Sequence, residues 1–272
     1  MVAGFAGCDD GGSDNGGAAG SIAIAGSPSG TAGQPPAAGG SGPVGTAGTG
    51  GTGGAVVSGE GVPLTPADGW VDVMSNTLGV QGAVFAFGDD TSKMGLVSDF
   101  VGDHACIKGT AALVDMTSTP CSTMMFTPPA TDCYGQFWGA AIGMNLNQPK
   151  DPVTMMGVET PLAFDASSLK GFSFDVSGTT VPAPKDLRFK VENASGEFCN
   201  VPTVKVKTGP NVYLFTDLVS ECYKIVMDPP NPNADQASVK SSLLKISWQV
   251  VTNTTAAVPF DFCISNVRAL PK

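Results

Sequence analysis

The sequence predicts an all-β protein, an antiparallel β-sandwich preceded by a disordered tether rich in Gly, Ala, Ser and Pro. Three observations lead there. Residues 243–250 alternate Leu244, Ile246, Trp248 and Val250 with Lys245, Ser247 and Gln249, and residues 260–265 alternate Phe260, Phe262 and Ile264 with Asp261, Cys263 and Ser265. A period of two marks a strand with one buried face. Similar runs recur upstream, parted by Gly-, Pro- and Asn-rich turns and with no strong helical period, as an antiparallel sandwich requires. Composition also changes abruptly: most of the 36 glycines of this 272-residue chain lie before Gly61.

The chain divides into residues 1–8, 9–61 and 62–272. The first eight residues end in Phe5-Ala6-Gly7-Cys8. This resembles the lipobox of bacterial lipoproteins, with Phe5 where Leu is usual, and makes Cys8 the candidate lipidation site. A signal peptide needs about 15–30 residues, so a natural start upstream of Met1 is expected. A diacyl group on Cys8 would supply two-chain anchoring. Residues 9–61 hold almost no large apolar side chains and cannot offset the entropy of ordering. They are expected to act as a flexible spacer reaching some tens of ångströms.

The β domain is expected to begin near Val62. Residues 70–73 form a short strand or its lead-in, and residues 79–87 (GVQGAVFAF) a clearer one, with Gly82 a bulge or close-approach point. Gly88, Asp89 and Asp90 form the turn that ends it. Residues 106–115 are a further strand, and 116–132 a long loop pinned at Cys121 and Cys133. In 137–147, Trp138, Ala140, Ile142, Met144 and Leu146 fall on a core face. Gly139, Ala141, Gly143 and Asn145 fall on the other, small enough to admit a second backbone or a flat ligand. Runs around Phe172–Phe174–Val176 and Leu187–Phe189–Val191, and residues 211–216, supply more strands. Residues 234–243 have room for one helical turn. The two alternating runs 243–250 and 260–267 are expected to pair as a closing hairpin around the turn 252–259.

Charged residues make up only 14% of the chain and its net charge is −10. Phosphate binding needs Lys and Arg clusters, and none exists, so nucleic acid is excluded as a partner. No run of about 18 apolar residues is present, so membrane contact is expected only through a lipid anchor. Of seven cysteines, six lie in the β domain: Cys106, Cys121, Cys133, Cys199, Cys222 and Cys263. An even set in a β-rich domain reads as disulfides formed outside the cytoplasm. Cys199 and Cys222 are the expected local pair, and sequence leaves the others open. No C-x-x-C is present and His104 is the only histidine, which argues against zinc.

The succession NTLGVQGAVFAF, FWGAAIGMNLN, LKGFSFDVSG, LRFKVE, LLKISWQVV and FDFCISNVRAL resembles the galactose-binding-like jelly roll of carbohydrate-binding modules. In particular it resembles secreted modules carried by bacterial cell-surface lipoproteins. The resemblance covers about residues 70–270. It implies a jelly-roll topology, sugar binding on a concave sheet or at loop tips, and often a structural Ca2+.

Sugar rings dock on aromatic faces, and their hydroxyls pair with planar polar groups. The expected ligand-binding residues are Tyr134, Arg188, Lys190, Gln249 and Asp261, the strand residues among them being outward partners of core positions. Trp138 and Trp248 are phased with aliphatic residues and are expected in the core, and Trp70 is the tryptophan left for the surface. Asp89, Asp90, Asp99 and Asp103 are the clearest carboxylate cluster for a structural calcium, though they lack a D-x-D-x-D order. No other cofactor or metal is expected. No G-x-S-x-G or comparable nucleophile context accompanies His104, so the protein is not expected to be an enzyme. The function expected is that of a surface-tethered, non-catalytic binding module recognising a polysaccharide, other glycan or cell-surface polymer, extracytoplasmic and lipid-anchored or secreted at a bacterial envelope. The alternative is a structural or adhesive envelope lipoprotein that contacts protein.

Overall fold

Alternating apolar residues become strands because one pleated face can be buried while the other stays polar. The computed structural model describes residues 60–115, 117, 137–154, 156–223 and 230–272. Tyr134, Cys121, Cys133, the lipobox with Cys8, and nearly all of the tether 9–61 lie outside them.

The chain folds into two antiparallel sheets. Sheet I has the order β11-β8-β14-β6-β5, with β1 also paired to β14. Its strands are β1 (Val62–Pro63), β5 (Val97–Val101), β6 (His104–Ala111), β8 (Leu169–Thr180), β11 (Gly209–Leu214) and β14 (Val258–Pro271). Sheet II has the order β12-β10-β9-β13-β7-β4-β3-β2. It comprises β2 (Pro66–Ala67), β3 (Trp70–Val71), β4 (Gly82–Gly88), β7 (Ala140–Asn145), β9 (Leu187–Asn193), β10 (Gly196–Asn200), β12 (Leu218–Val219) and β13 (Leu243–Val250). The chain passes repeatedly from one sheet to the other, as in a jelly roll. A single helical turn, Ala237–Lys240, occurs where one was expected.

The sheets close over an aromatic core. Phe172, Phe174 and Tyr213 from sheet I meet Phe189 and Trp248 from sheet II, all buried. Phe174 lies edge-on to Trp248 with centroids 5.3 Å apart, and Tyr213 stacks on Phe189 at 5.3 Å. Truncating such a ring to alanine typically costs about 3–5 kcal/mol. Trp248 Nε1 has no hydrogen-bond partner. Burial pushes the Tyr213 phenol well above its usual pKa, and the charge of Asp217 adds to the rise.

The expected closing hairpin does not form. β13 pairs with β7 and β9 in sheet II, and β14 pairs with β6 and β8 in sheet I. Both strands carry a wholly apolar face, and burying two such faces against each other fills a sandwich core better than setting the strands edge to edge. Residues 251–257 are long enough to arch across the roughly 10 Å between packed sheets. The arch is tied at Val251 N–H to Asp186 O (2.9 Å) and at Asn253 O to Val114 N–H (3.0 Å).

Two disulfides bind the described residues. Cys199 and Cys222 form the expected local pair. Cys106 and Cys263 sit directly opposite each other on β6 and β14 and are also bonded.

Candidate functional site

The outer face of sheet II carries a different chemistry on each strand. On β4, Val84 points into the core, so Phe85 and Phe87 point outward and are only partly buried. On β7, Ile142 and Met144 point inward, leaving Ala141 and Gly143 outside. The register places Phe85 opposite Gly143 and Phe87 opposite Ala141. β13 contributes Lys245, Ser247 and Gln249, opposite Glu192, Lys190 and Arg188 of β9.

The small β7 face has an occupant. A Cβ on Gly143 would stand 2.7 Å from Phe85 Cζ and 3.1 Å from Phe87 Cε1. The two rings therefore lie over the glycine, and the close approach expected there is made by aromatic side chains of the same sheet. Phe87 touches Phe85 at 5.4 Å and Trp138 at 5.3 Å between centroids, giving a row of three rings with Phe87 in the middle along one side of the face. Lys245 Nζ stands 4.9 Å from the Phe87 centroid. Trp70, paired opposite Ala83, is partly exposed and has Lys150 Nζ 4.8 Å from its ring.

Trp138 departs from the expected core position. Gly139, at φ +106°, breaks the alternation just before β7 and turns the preceding ring toward Phe87. A side chain at Gly139 is barred, since its Cβ would fall on Val250 O. Trp248 is in the core as expected.

Polar side chains on this face are tied to one another. Lys190, 7% exposed, pairs with Glu197 and stands 3.7 Å from Glu192. Glu192 also binds Lys245 (3.1 Å) and accepts from Ser247 Oγ (3.0 Å). Gln249 donates through Nε2 to Trp138 O at 2.8 Å. Arg188 is half-buried, opposite Gln249.

Arg188, Lys190 and Gln249 thus share one face. Asp261 does not join them: it lies on the outer side of sheet I, accepting from Thr179 Oγ1 (2.9 Å) and pairing with Lys108 (3.4 Å). Alternation shows that a residue points outward, and a sandwich has two outer faces. The aromatic strip was missed for a related reason. Gly82, Val84 and Ala86 make one face of β4 and the two phenylalanines the other, so the bulkier pair had to face out, over a β7 face of glycine and alanine.

The four aspartates do not converge: no cluster that could hold a metal exists among the described residues. Asp89 is occupied locally. Its Oδ1 accepts from Thr91 N–H (3.0 Å), Thr91 Oγ1 (2.7 Å) and Ser92 N–H (2.6 Å), and its Oδ2 from Gly139 N–H (2.6 Å). Asp90 binds Lys93, which holds its carboxyl below the usual range. Asp103 pairs with His104 Nδ1 at 2.7 Å. No helix among the described residues is long and apolar enough to cross a membrane.

No protein-family model matches the sequence, and no curated protein does. Two solved structures are similar. One is a family 11 carbohydrate-binding module from Clostridium thermocellum in complex with a β-1,3-1,4-mixed-linked tetrasaccharide. It is 10% identical, with a TM-score of 0.38, over 69% of this chain and 88% of that one. The other is the solution structure of CtCBM11, 12% identical, with a TM-score of 0.34, over 80% and 99%. Likenesses of this size carry no inference about ligand.

Proposed function

We propose that residues 62–272 are a non-catalytic module that binds a glycan on the outer face of sheet II. Residues 9–61 serve as its spacer, and a lipid on Cys8 anchors it outside the cytoplasm. The observation that supports this reading is the strip of Phe85, Phe87 and Trp138 beside fixed polar side chains. Pyranose C–H faces pack on aromatic rings, and ring hydroxyls take hydrogen bonds from planar and charged groups at the rim. Arg188 is the contact expected at that rim, with the nearly buried Lys190 holding Glu192 and Glu197 in place behind it. Glu192 and Glu197 act as ion-pair partners of lysines, which suits a binding face better than acid–base work. The two disulfides fit an oxidising compartment.

The oxidised full chain is expected to bind one class of polysaccharide saturably on a glycan array. Phe87→Ala should weaken that binding about tenfold, roughly the 1.4 kcal/mol that one stacked ring contributes. EDTA should leave it unchanged, because the Asp89 oxygens are already taken up. Folded protein that binds no glycan would defeat the reading in favour of protein contact. That alternative is supported by β5, which ends sheet I with Val97 and Val101 more than 60% exposed.

A further inference from the structure

Three buried polar side chains, one from the turn after β4 and two from the end of β13 and the arch that follows it, converge on the backbone of residues 137–139. Asp89, 5% exposed, accepts from Gly139 N–H through Oδ2, and its own N–H donates to Gly139 O (2.9 Å). Gln249, 6% exposed, donates to Trp138 O. Thr252, also 6% exposed, donates through Oγ1 to Phe137 O. These residues lie some fifty to over a hundred positions from the segment they hold. Between them they hold three consecutive residues of the irregular lead-in to β7, and the middle one, Trp138, carries the one indole in the aromatic strip.

We propose that Trp138 is the ring platform for the glycan and that Asp89, Gln249 and Thr252 are positioning residues that hold it in its binding pose before the ligand arrives. The proposal rests on the glycan-binding reading for its ligand. It reassigns Gln249 from ligand contact to support: the Nε2 that would reach a hydroxyl is bonded to the carbonyl of Trp138. A platform fixed in the free protein loses little freedom on binding, so more of the stacking energy appears as affinity. The Asp89 link runs through the turn that ends β4, and therefore couples the Trp138 backbone to the strand that bears Phe85 and Phe87.

Near-isosteric variants separate this role from bulk packing. Gln249→Glu removes the donor to Trp138 O, Thr252→Val removes the donor to Phe137 O, and Asp89→Asn cannot accept at both ends as the carboxylate does. Each is expected to weaken glycan binding about five- to tenfold, the scale of one lost buried hydrogen bond, and Trp138→Ala by more. In a Trp138→Ala background, Gln249→Glu and Thr252→Val should have no further effect on affinity; a second loss there would overturn the positioning role. Wild-type affinity in Trp138→Ala would overturn the platform while leaving glycan binding intact. A ligand-free readout covers failure of the glycan reading itself. In a Trp70→Phe background, where Trp248 is wholly buried, acrylamide quenching reports Trp138. Gln249→Glu and Thr252→Val should raise that quenching at least twofold, and unchanged quenching would overturn the proposal whether or not glycan binds.

Discussion

Replacing Cys106 and Cys263 together with alanine should remove the largest single constraint on the unfolded chain. The two residues are directly opposed on β6 and β14, with Cα atoms 3.9 Å apart and a sequence separation of 157. In the chain-entropy model, opening a loop of that length costs about 5 kcal/mol at 25 °C, against about 3 kcal/mol for the 23-residue separation of Cys199 and Cys222. Both sulfurs of the long-range pair are only partly buried on the outside of sheet I, so the substitution forfeits little packing. The cost arises in the unfolded state. A domain of this kind has a total stability of about 5–15 kcal/mol, so the loss is a large share of it. Urea titration of the oxidised full chain, followed by the emission of buried Trp248, reads the effect. With a slope of about 2.5 kcal/mol per molar, the midpoint should fall by about 2 M. A fall of less than about 0.5 M would refute the reasoning, because β14 would then gain nothing from being cross-linked to a strand so distant in sequence.

Tyr213 sets an alkaline limit. Its folded phenol pKa is raised, first by burial and then by Asp217, whereas the unfolded phenol titrates near 10. Above about pH 10 the unfolded chain therefore gives up a proton that the folded one keeps, and stability should fall by up to about 1.4 kcal/mol per pH unit, with no effect below. Tyr213→Phe should remove that slope in urea titrations at pH 9 to 11, and an unaltered slope would assign it to other groups. Gly143→Ala should push the Phe85 and Phe87 rings outward, since their far ends are what the new Cβ meets. Stability should fall by about 1–2 kcal/mol and glycan affinity at least tenfold, and unchanged affinity would place the ligand elsewhere.

Much of the fold was legible in the sequence because a period of two is a direct imprint of one-sided burial. Phe172–Phe174–Val176, Leu187–Phe189–Val191 and Ile246–Trp248–Val250 all became inward faces. Alternation does not say which sheet a strand joins. β13 and β14 would read the same whether they paired as a hairpin or packed face to face, and only the competition among all apolar faces settles it. Edge strand β5 escaped notice because Val97, Asp99 and Val101 face outward and only Phe100 packs on the core. The site was less legible for the same physical reason. Outward residues such as Arg188 and Asp261 look alike in sequence yet stand on opposite sides of the sandwich. The Gln249 bond to Trp138 joins residues 111 apart and leaves no local trace. Asp89 did leave one: Asp-x-Thr-Ser just after a strand is a pattern in which the carboxylate caps its own turn.

The outer face of sheet II also shows why its strands differ so much in residue size. A sheet face bearing Phe85 and Phe87 would be a rough ridge if β7 carried ordinary side chains. With Ala141 and Gly143 there, the rings lie down onto the backbone and their faces become part of the surface. On the far side, β9 and β13 hold Lys190, Glu192 and Lys245 in a connected set of ion pairs. Ion pairs at a protein surface contribute little to stability, but this network, anchored by a nearly buried lysine, fixes where its charges stand. Rings, floor and charges are thus each held by a neighbour on the next strand. Such cross-strand support makes a surface rigid enough for the arrangement of its groups, more than its area, to set what it binds.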